Sequence, residues 1–297
     1  MHRVRCLAPG NSVWWLLMPD DPRLDTTVLD QFGRRGAPTP LPGGARPVYR
    51  VGDLVFKQLR PGSLEHDRSL DLVPWLFEVL ASLPQVGFRL PRPVQTRDGR
   101  WLTEAGWSAW TYLDGQYATA EDVPACIAGI AALHRALGTV PPHPLLDRNQ
   151  SVFGQADVAC WSDKPSHVHP AVEPLLDALY ALRRPVVGLA EQLIHADLNP
   201  ENILIARGQP PGFLDLTPFW RPPEFALALF ATWIGPRRGD PSVLRAFAGV
   251  REFEQLLIRA GIRMLLIRQT EMDGFDTSSE AQAAHIILEH VGGGGHR

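Results

Sequence analysis

Four polar side chains interrupt a short apolar stretch: His195, Asp197, Asn202 and Asp215. Ile203 to Ala206 and Phe213 to Leu216 have the composition of two antiparallel strands, joined by the Gly/Pro-rich turn Arg207-Gly-Gln-Pro-Pro-Gly212. Folding that hairpin about Gln209 sets residue 202 opposite residue 216, which makes Asn202 and Asp215 neighbours at one end. An amide oxygen beside a carboxylate is a hard-oxygen pair suited to Mg²⁺, which takes only one or two protein carboxylates and completes its shell with water and phosphate oxygens. Asp197, in the loop entering the hairpin, arrives at the same end, where it can orient a substrate hydroxyl or accept its proton. Taken singly, Asp and Asn are ordinary turn formers; it is the set of three that points to chemistry.

The elements around this set divide the chain near residue 113. Val48 to Leu59 reads as a hairpin broken at Gly52-Asp53, with Lys57 on its second strand. Upstream, Gly43-Gly44 sits in a breaker cluster that permits close backbone approach by a ligand. Residues 69 to 83 carry apolar side chains at helical spacing, with Glu78 among them. Strand-like segments follow at 89–96 and 101–113, separated by the Asp98-Gly99 turn. Beyond Leu113-Asp114-Gly115 the pattern turns helical, over 121–137, 171–183, 223–234, 241–270 and 278–290, with short strands and turns between Ala196 and Gly212. Residues 1–113 thus form a lobe that is mostly sheet with one helix, and 114–297 a helical lobe. Residues 1–25 have no clear period, and the glycines at 292–295 predict a flexible tail over 291–297.

Composition excludes several alternatives. The chain has 297 residues with 45% hydrophobic and 21% charged side chains, values of a folded globular protein. A net charge of −3 supplies no general basic field for nucleic acid. The longest apolar run, Phe225 to Ile234, is about half of the roughly 18 residues that suggest a membrane span. Cys6, Cys126 and Cys160 form neither a CxxC pair nor a disulfide framework, which favours a reducing, cytoplasmic setting. Up to residue 116 there are 14 basic and 12 acidic residues, and from 117 onward 15 and 20, so the second lobe is mildly acidic, a balance that reads first as an ordinary solvated surface and second as an attraction for a cationic small-molecule partner. Of the 29 basic residues only Lys57 and Lys164 are lysine. A lysine kept in that background marks a place where a compact, flexible ammonium is wanted.

His195-x-Asp197-x-x-x-x-Asn202, followed on the next strand by Asp215, resembles the catalytic segment of the aminoglycoside phosphotransferase and choline kinase group, which shares the protein-kinase-like fold. The resemblance covers residues 40 to 235, the Leu133-His134 helix end among them, and Trp220-Arg221-Pro222 is similar to a branch of the group found in high-GC bacteria. It implies an α+β, two-lobed fold. It also implies that Asp197 is the catalytic base or hydroxyl-positioning group, that Asn202 and Asp215 hold Mg²⁺, and that Lys57 contacts the α- and β-phosphates with Glu78 holding it. Glu65 competes for that last pairing from a Pro/Gly/Ser-rich stretch. Gly43 and Gly44 would offer backbone N–H groups to phosphate, Tyr112 and Leu113 would border adenine, and His195 would brace the loop without exchanging protons. Leu-Asp-Leu-Thr replaces the Asp-Phe-Gly of protein kinases, which fits the small-molecule enzymes better.

The sequence therefore predicts a cytoplasmic enzyme that moves the γ-phosphoryl group of ATP, or of GTP, to a hydroxyl of a small molecule. The other reading is a nucleotide-binding pseudokinase with a regulatory or scaffolding role, against which Lys57, Asp197, Asn202 and Asp215 all stand.

Overall fold

A computed structural model describes residues 24–42, 48–59, 69–146, 151–269 and 278–293. Gly43, Gly44, Glu65, residues 1–23 and the last four residues, 294–297, lie outside the described residues. The chain divides into two compact units, Met1–Ser63 with Pro91–Tyr112, and Leu64–Leu90 with Leu113–Arg297. The helix carrying Glu78 counts with the second unit, not with the sheet that precedes it in sequence.

In the first unit, β-branched and aromatic residues pair into an antiparallel sheet of β1 (Thr39–Leu41), β2 (Val48–Val51), β3 (Leu54–Gln58), β4 (Pro93–Val94) and β5 (Trp107–Thr111), in the order β1-β2-β3-β5-β4. Gly52, at φ +61°, closes the β2–β3 hairpin. Period-two alternation turns Leu54 and Phe56 into the core and leaves Val55 and Lys57 half-buried on the opposite face. A short helix, α1 (Thr26–Gln31), covers the core face with Val28, Leu29 and Phe32. The Asp25 carboxylate caps it, accepting the Val28 N–H at 2.9 Å. With fewer than two turns α1 has no period that could be read in advance. The strand expected over 101–113 begins only at Trp107. Residues 103–106 turn instead, with the Gly106 N–H donating to the Thr103 carbonyl. Gly106 stands at φ +76°, and a Cβ there would lie 2.2 Å from the Leu59 oxygen, so glycine alone fits.

The second unit comprises helices α2 (Ser69–Ser82), α3 (Val123–Leu137), α4 (Val152–Trp161), α5 (Glu173–Leu182), α6 (Pro223–Ile234), α7 (Phe253–Gln269) and α8 (Ser278–Gly293). Two small sheets lie among them: β6 (Gln116–Tyr117), β8 (Ile203–Ile205) and β9 (Gly212–Phe213) in one, β7 (Gln192–His195) and β10 (Pro218–Arg221) in the other. α6 buries residues all round its axis, from Phe225 to Ile234, and packs on α7, the central helix of the unit.

Four boundaries differ from the sequence reading. Helix 241–270 is two pieces, a 3₁₀ stretch Pro241–Phe247 and α7, separated by a turn in which Glu252 takes φ +55°. α4 went unread because small residues, Gly154, Ala156, Ala159 and Cys160, form its buried face. α8 runs through Gly293, so residues 291–293 are helical and not tail. The hairpin register is shifted by two: Ile203 faces Phe213 and Leu204 faces Gly212, which sets Asn202 against Leu214.

Candidate active site

The shifted register still brings the predicted residues to one end of the hairpin. The Leu214 N–H donates to the Asn202 carbonyl at 2.8 Å, and Asp215 follows directly. Asp215 is exposed at φ +52°, in the left-handed region that a non-glycine residue seldom adopts. That turn ends the strand and redirects the chain into β10, while the Thr217 hydroxyl donates to the Asp215 carbonyl at 3.1 Å.

Asp197 is held by two amides. Its Oδ1 accepts from Asn199 Nδ2 at 3.3 Å and its Oδ2 from Asn202 Nδ2 at 2.9 Å. Asn202 Nδ2 also donates to the Asp197 carbonyl at 2.9 Å. With two oxygens facing it, that side of the Asn202 amide must be the nitrogen, and the amide oxygen is what Asn202 can offer a cation. The available donors, one amide oxygen and the Asp215 carboxylate, are hard and few, and so fit Mg²⁺ and not a soft or ligand-hungry metal. Among the described residues no group of three or more His, Cys, Asp or Glu side chains gathers as a metal cage.

Two buried histidines fix the loop. His195 Nε2 lies 2.9 Å from the Leu214 carbonyl and therefore carries the proton, leaving Nδ1 to accept the Asp197 and Thr217 N–H groups, each at 3.3 Å. One imidazole thereby ties the Asp197 loop to the segment bearing Asp215. Burial pushes its pKa below the ordinary histidine value, although the Asp197 and Asp215 charges pull the other way. His134, on α3, donates from Nδ1 to the Ile130 carbonyl at 2.8 Å and accepts the His195 N–H on Nε2 at 3.1 Å. Fully buried, it is pushed down to about 4, chiefly by desolvation.

The remaining predicted residues stand on β3, on α2 and just after β5. Lys57 sits at the β3 position opposite Val48 and Ser108, and its carbonyl accepts the Ser108 hydroxyl at 3.1 Å. Glu78 lies on the exposed face of α2 in the second unit. The Tyr112 N–H donates to Asp53 at 2.8 Å, with the Arg50 guanidinium 3.6 Å above its ring. Leu113 packs over Gly212. Lys164, the other lysine, is accounted for by Glu173 at 3.2 Å and Asp177 at 2.5 Å, a surface ion-pair role.

Residues 38–257 match the model of the phosphotransferase enzyme family, APH. The chain belongs to that family. A homoserine kinase of Gluconacetobacter diazotrophicus is 32% identical over 153 residues, 48% of this chain and 47% of that protein, and one of a Bradyrhizobium species is 30% identical over 159 residues, 50% and 47%. The chain thus spans about half the length of the curated relatives it matches. Among solved structures, a thermostable aminoglycoside phosphotransferase APH(4)-Ia in complex with AMP-PNP and hygromycin B superposes with TM-score 0.58 at 13% identity, covering 91% of this chain and 98% of that one. Choline kinase LicA of Streptococcus pneumoniae gives 0.57 at 12%, covering 89% and 96%. At such identities the likeness establishes the fold, α+β and protein-kinase-like.

Around the candidate site stand two residues that the sequence reading passed over, and a third, His134, to which it gave no role. Asn199 caps the 3₁₀ turn Pro200–Asn202, accepting the Glu201 and Asn202 N–H groups at 2.9 and 3.1 Å. Asn followed by Pro is a helix-start signal and would have flagged it. Tyr117, on β6 opposite Leu204, has its ionisation opposed by burial and by the charges of Glu201 and Asp215, which places it beside the candidate cation ligands. His134 closes the helix end that carries part of the resemblance, but its role was not readable, since its partner is a backbone N–H 61 residues away.

Proposed function

We propose that the chain is an ATP-dependent phosphotransferase that moves the γ-phosphoryl group to a hydroxyl of a small molecule. The observation that carries this reading is the Asp197 carboxylate, fixed by Asn199 and Asn202 and joined through His195 to the segment bearing Asp215. Asp197 would orient the acceptor hydroxyl and take its proton as the new bond forms. Asn202 and Asp215 would hold Mg²⁺, which when bound offsets phosphate charge. Lys57 would neutralise the α- and β-phosphates, with Glu78 as its partner. Tyr112 and Leu113 would border the base, and Gly43-Gly44 would offer N–H groups to phosphate. The homoserine kinase relatives make a small metabolite with a free hydroxyl the natural acceptor class. Cys126 and Cys160, buried free thiols, support work in a reducing cytoplasm.

Calorimetric titration with ATP and with GTP, with and without Mg²⁺, tests the reading. Magnesium-dependent binding is expected in the wild type, and its loss in both Lys57→Ala and Asp215→Ala. A wild type that binds neither nucleotide refutes the proposal, and nucleotide binding without turnover across a panel of hydroxyl compounds favours the pseudokinase reading.

A further inference from the structure

Arg89 stands in the loop after α2, between Phe88 and Leu90, both buried. Gln85 closes that loop on itself, its side-chain amide donating to the Leu90 carbonyl at 3.1 Å and accepting the Leu90 N–H at 3.0 Å. Arg89 is therefore presented from a fixed platform. Its backbone extends the β8–β9 hairpin by a parallel bridge to Gly212: the Arg89 N–H donates to the Pro211 carbonyl and the Phe213 N–H to the Arg89 carbonyl, both at 2.8 Å. The guanidinium then reaches three carbonyls on separate segments. Nε donates to Pro210 at 2.8 Å, Nη1 to Asp114 at 3.1 Å and Nη2, more weakly, to Leu204 at 3.5 Å. A planar fork of donors holds several acceptors at set angles, as a single-point ammonium cannot. Burial pulls the Arg89 pKa below the ordinary arginine value, against the pull of the Asp114 charge.

The three acceptors are informative by position. Asp114 directly follows Leu113, in the segment between β5 and β6. Leu204 lies two residues past Asn202 on β8, and Pro210 opens the arm that runs through β9 to Asp215. One side chain thus joins the segment that borders the base to both arms of the hairpin that presents Asn202 and Asp215. Gly212 permits this closeness, since a Cβ there would lie 3.2 Å from Leu113 Cδ1 and 3.4 Å from Arg89 Nη2. All of these residues belong to the second unit.

We propose that Arg89 is a positioning residue for nucleotide binding. It fixes the spacing between Leu113 and the Asn202–Asp215 end of the hairpin, so that one Mg²⁺-nucleotide meets both at once. This rests on the phosphotransferase reading above. Two halves of a ligand bound at a fixed spacing gain affinity from being linked. When the spacing fluctuates that gain falls, while each half alone binds as before.

The test is displacement of a fluorescent ATP analogue from the whole protein by Mg²⁺-ATP, by adenosine and by Mg²⁺-tripolyphosphate, in the wild type, Arg89→Met and Arg89→Lys. In Arg89→Met the affinity for Mg²⁺-ATP is expected to fall about tenfold or more, with adenosine and Mg²⁺-tripolyphosphate each within about twofold of the wild type. Arg89→Lys, which can meet one carbonyl at a time, is expected to fall between, and it carries the comparison if Arg89→Met does not melt cooperatively. Mg²⁺-ATP affinity within twofold of the wild type overturns the proposal. So does a parallel loss for all three competitors, the mark of a general role in the fold. A wild type that binds no nucleotide counts against the phosphotransferase reading instead. Amide hydrogen exchange without nucleotide then judges the clamp by itself: faster exchange over both 113–117 and 203–213 in Arg89→Met supports it, and unchanged exchange in either segment overturns it.

Discussion

Asp197 is positioned by two neutral amides, an arrangement that orients the carboxylate. Asp197→Asn keeps the shape and removes the proposed base. Turnover is expected to fall by about 10²–10⁴-fold while the affinity for Mg²⁺ and AMP-PNP stays within about twofold, measured by steady-state kinetics and calorimetry. Asn199 works differently. It caps the 3₁₀ turn and touches Asp197, so Asn199→Ala should lower stability by about 1 kcal/mol in denaturant melts and lower kcat more than it raises the KM for ATP. A cap without a positioning role would move the first quantity alone. The types and spacing of Asp197, Asn202 and Asp215 were legible in the sequence, and the fold brings Asn202 and Asp215 to one end of the hairpin with Asp197 bonded to Asn202. Asn199 was not singled out, and His134 was marked only as a helix end of the resemblance, because what they do is set by backbone groups that meet only in the fold.

Elements with a strong period were readable, and those made by context were not. α3, α5 and α6 fall within a few residues of expectation because each carries a wide apolar face or a wholly apolar surface. α4 buries small residues around Asp157, and α1 is too short to show a period. The hairpin of β8 and β9 was read correctly in kind but not in register, since Asp215 leaves the ladder in a left-handed turn that no propensity announces. α8 owes its docking to an ion-pair cluster. The Glu280 Oε1 accepts from Arg237 Nε and Nη2 at 3.0 and 2.8 Å, and Arg268 lies 3.6 Å away, with Glu280 almost fully buried. Removing Glu280 leaves two partly buried cations without their shared acceptor, so Glu280→Ala should cost about 1.5–3 kcal/mol in urea unfolding, more than loss of an exposed pair such as Arg34 with Asp53. A change below about 1 kcal/mol would mean that α8 is held by its apolar face, Ala283, Ala284 and Ile287, and not by charge.

At the scale of the whole molecule, the buried histidines make stability a function of pH. His134 is neutral in the fold, where its pKa is pushed down to about 4 from 6.5, whereas an unfolded chain leaves it near 6.5. Between those values the unfolded state binds the proton and the folded state does not, so protonation favours unfolding. The contribution is fully present above about pH 6.5 and is lost as the pH falls toward 4. By pH 5 the loss from this one group is on the order of 2 kcal/mol. His195, also buried and shifted down, acts in the same direction. Equilibrium unfolding in urea at pH 8, 7, 6 and 5 should therefore give a plateau and then a decline, one that begins before carboxylates near their ordinary values take up protons. His134→Leu removes the titrating ring together with its bond to the His195 N–H. Its stability should be lower at pH 8, where that bond is intact in the wild type, and should fall less between pH 7 and 5. A variant with the full wild-type slope would place the titration elsewhere, with His195 the next group to change. The same decline bears on activity, because His134 and His195 together hold the Asp197 loop to the Asp215 segment. Nucleotide binding should weaken below pH 6 in parallel with stability in the wild type, and less steeply in His134→Leu.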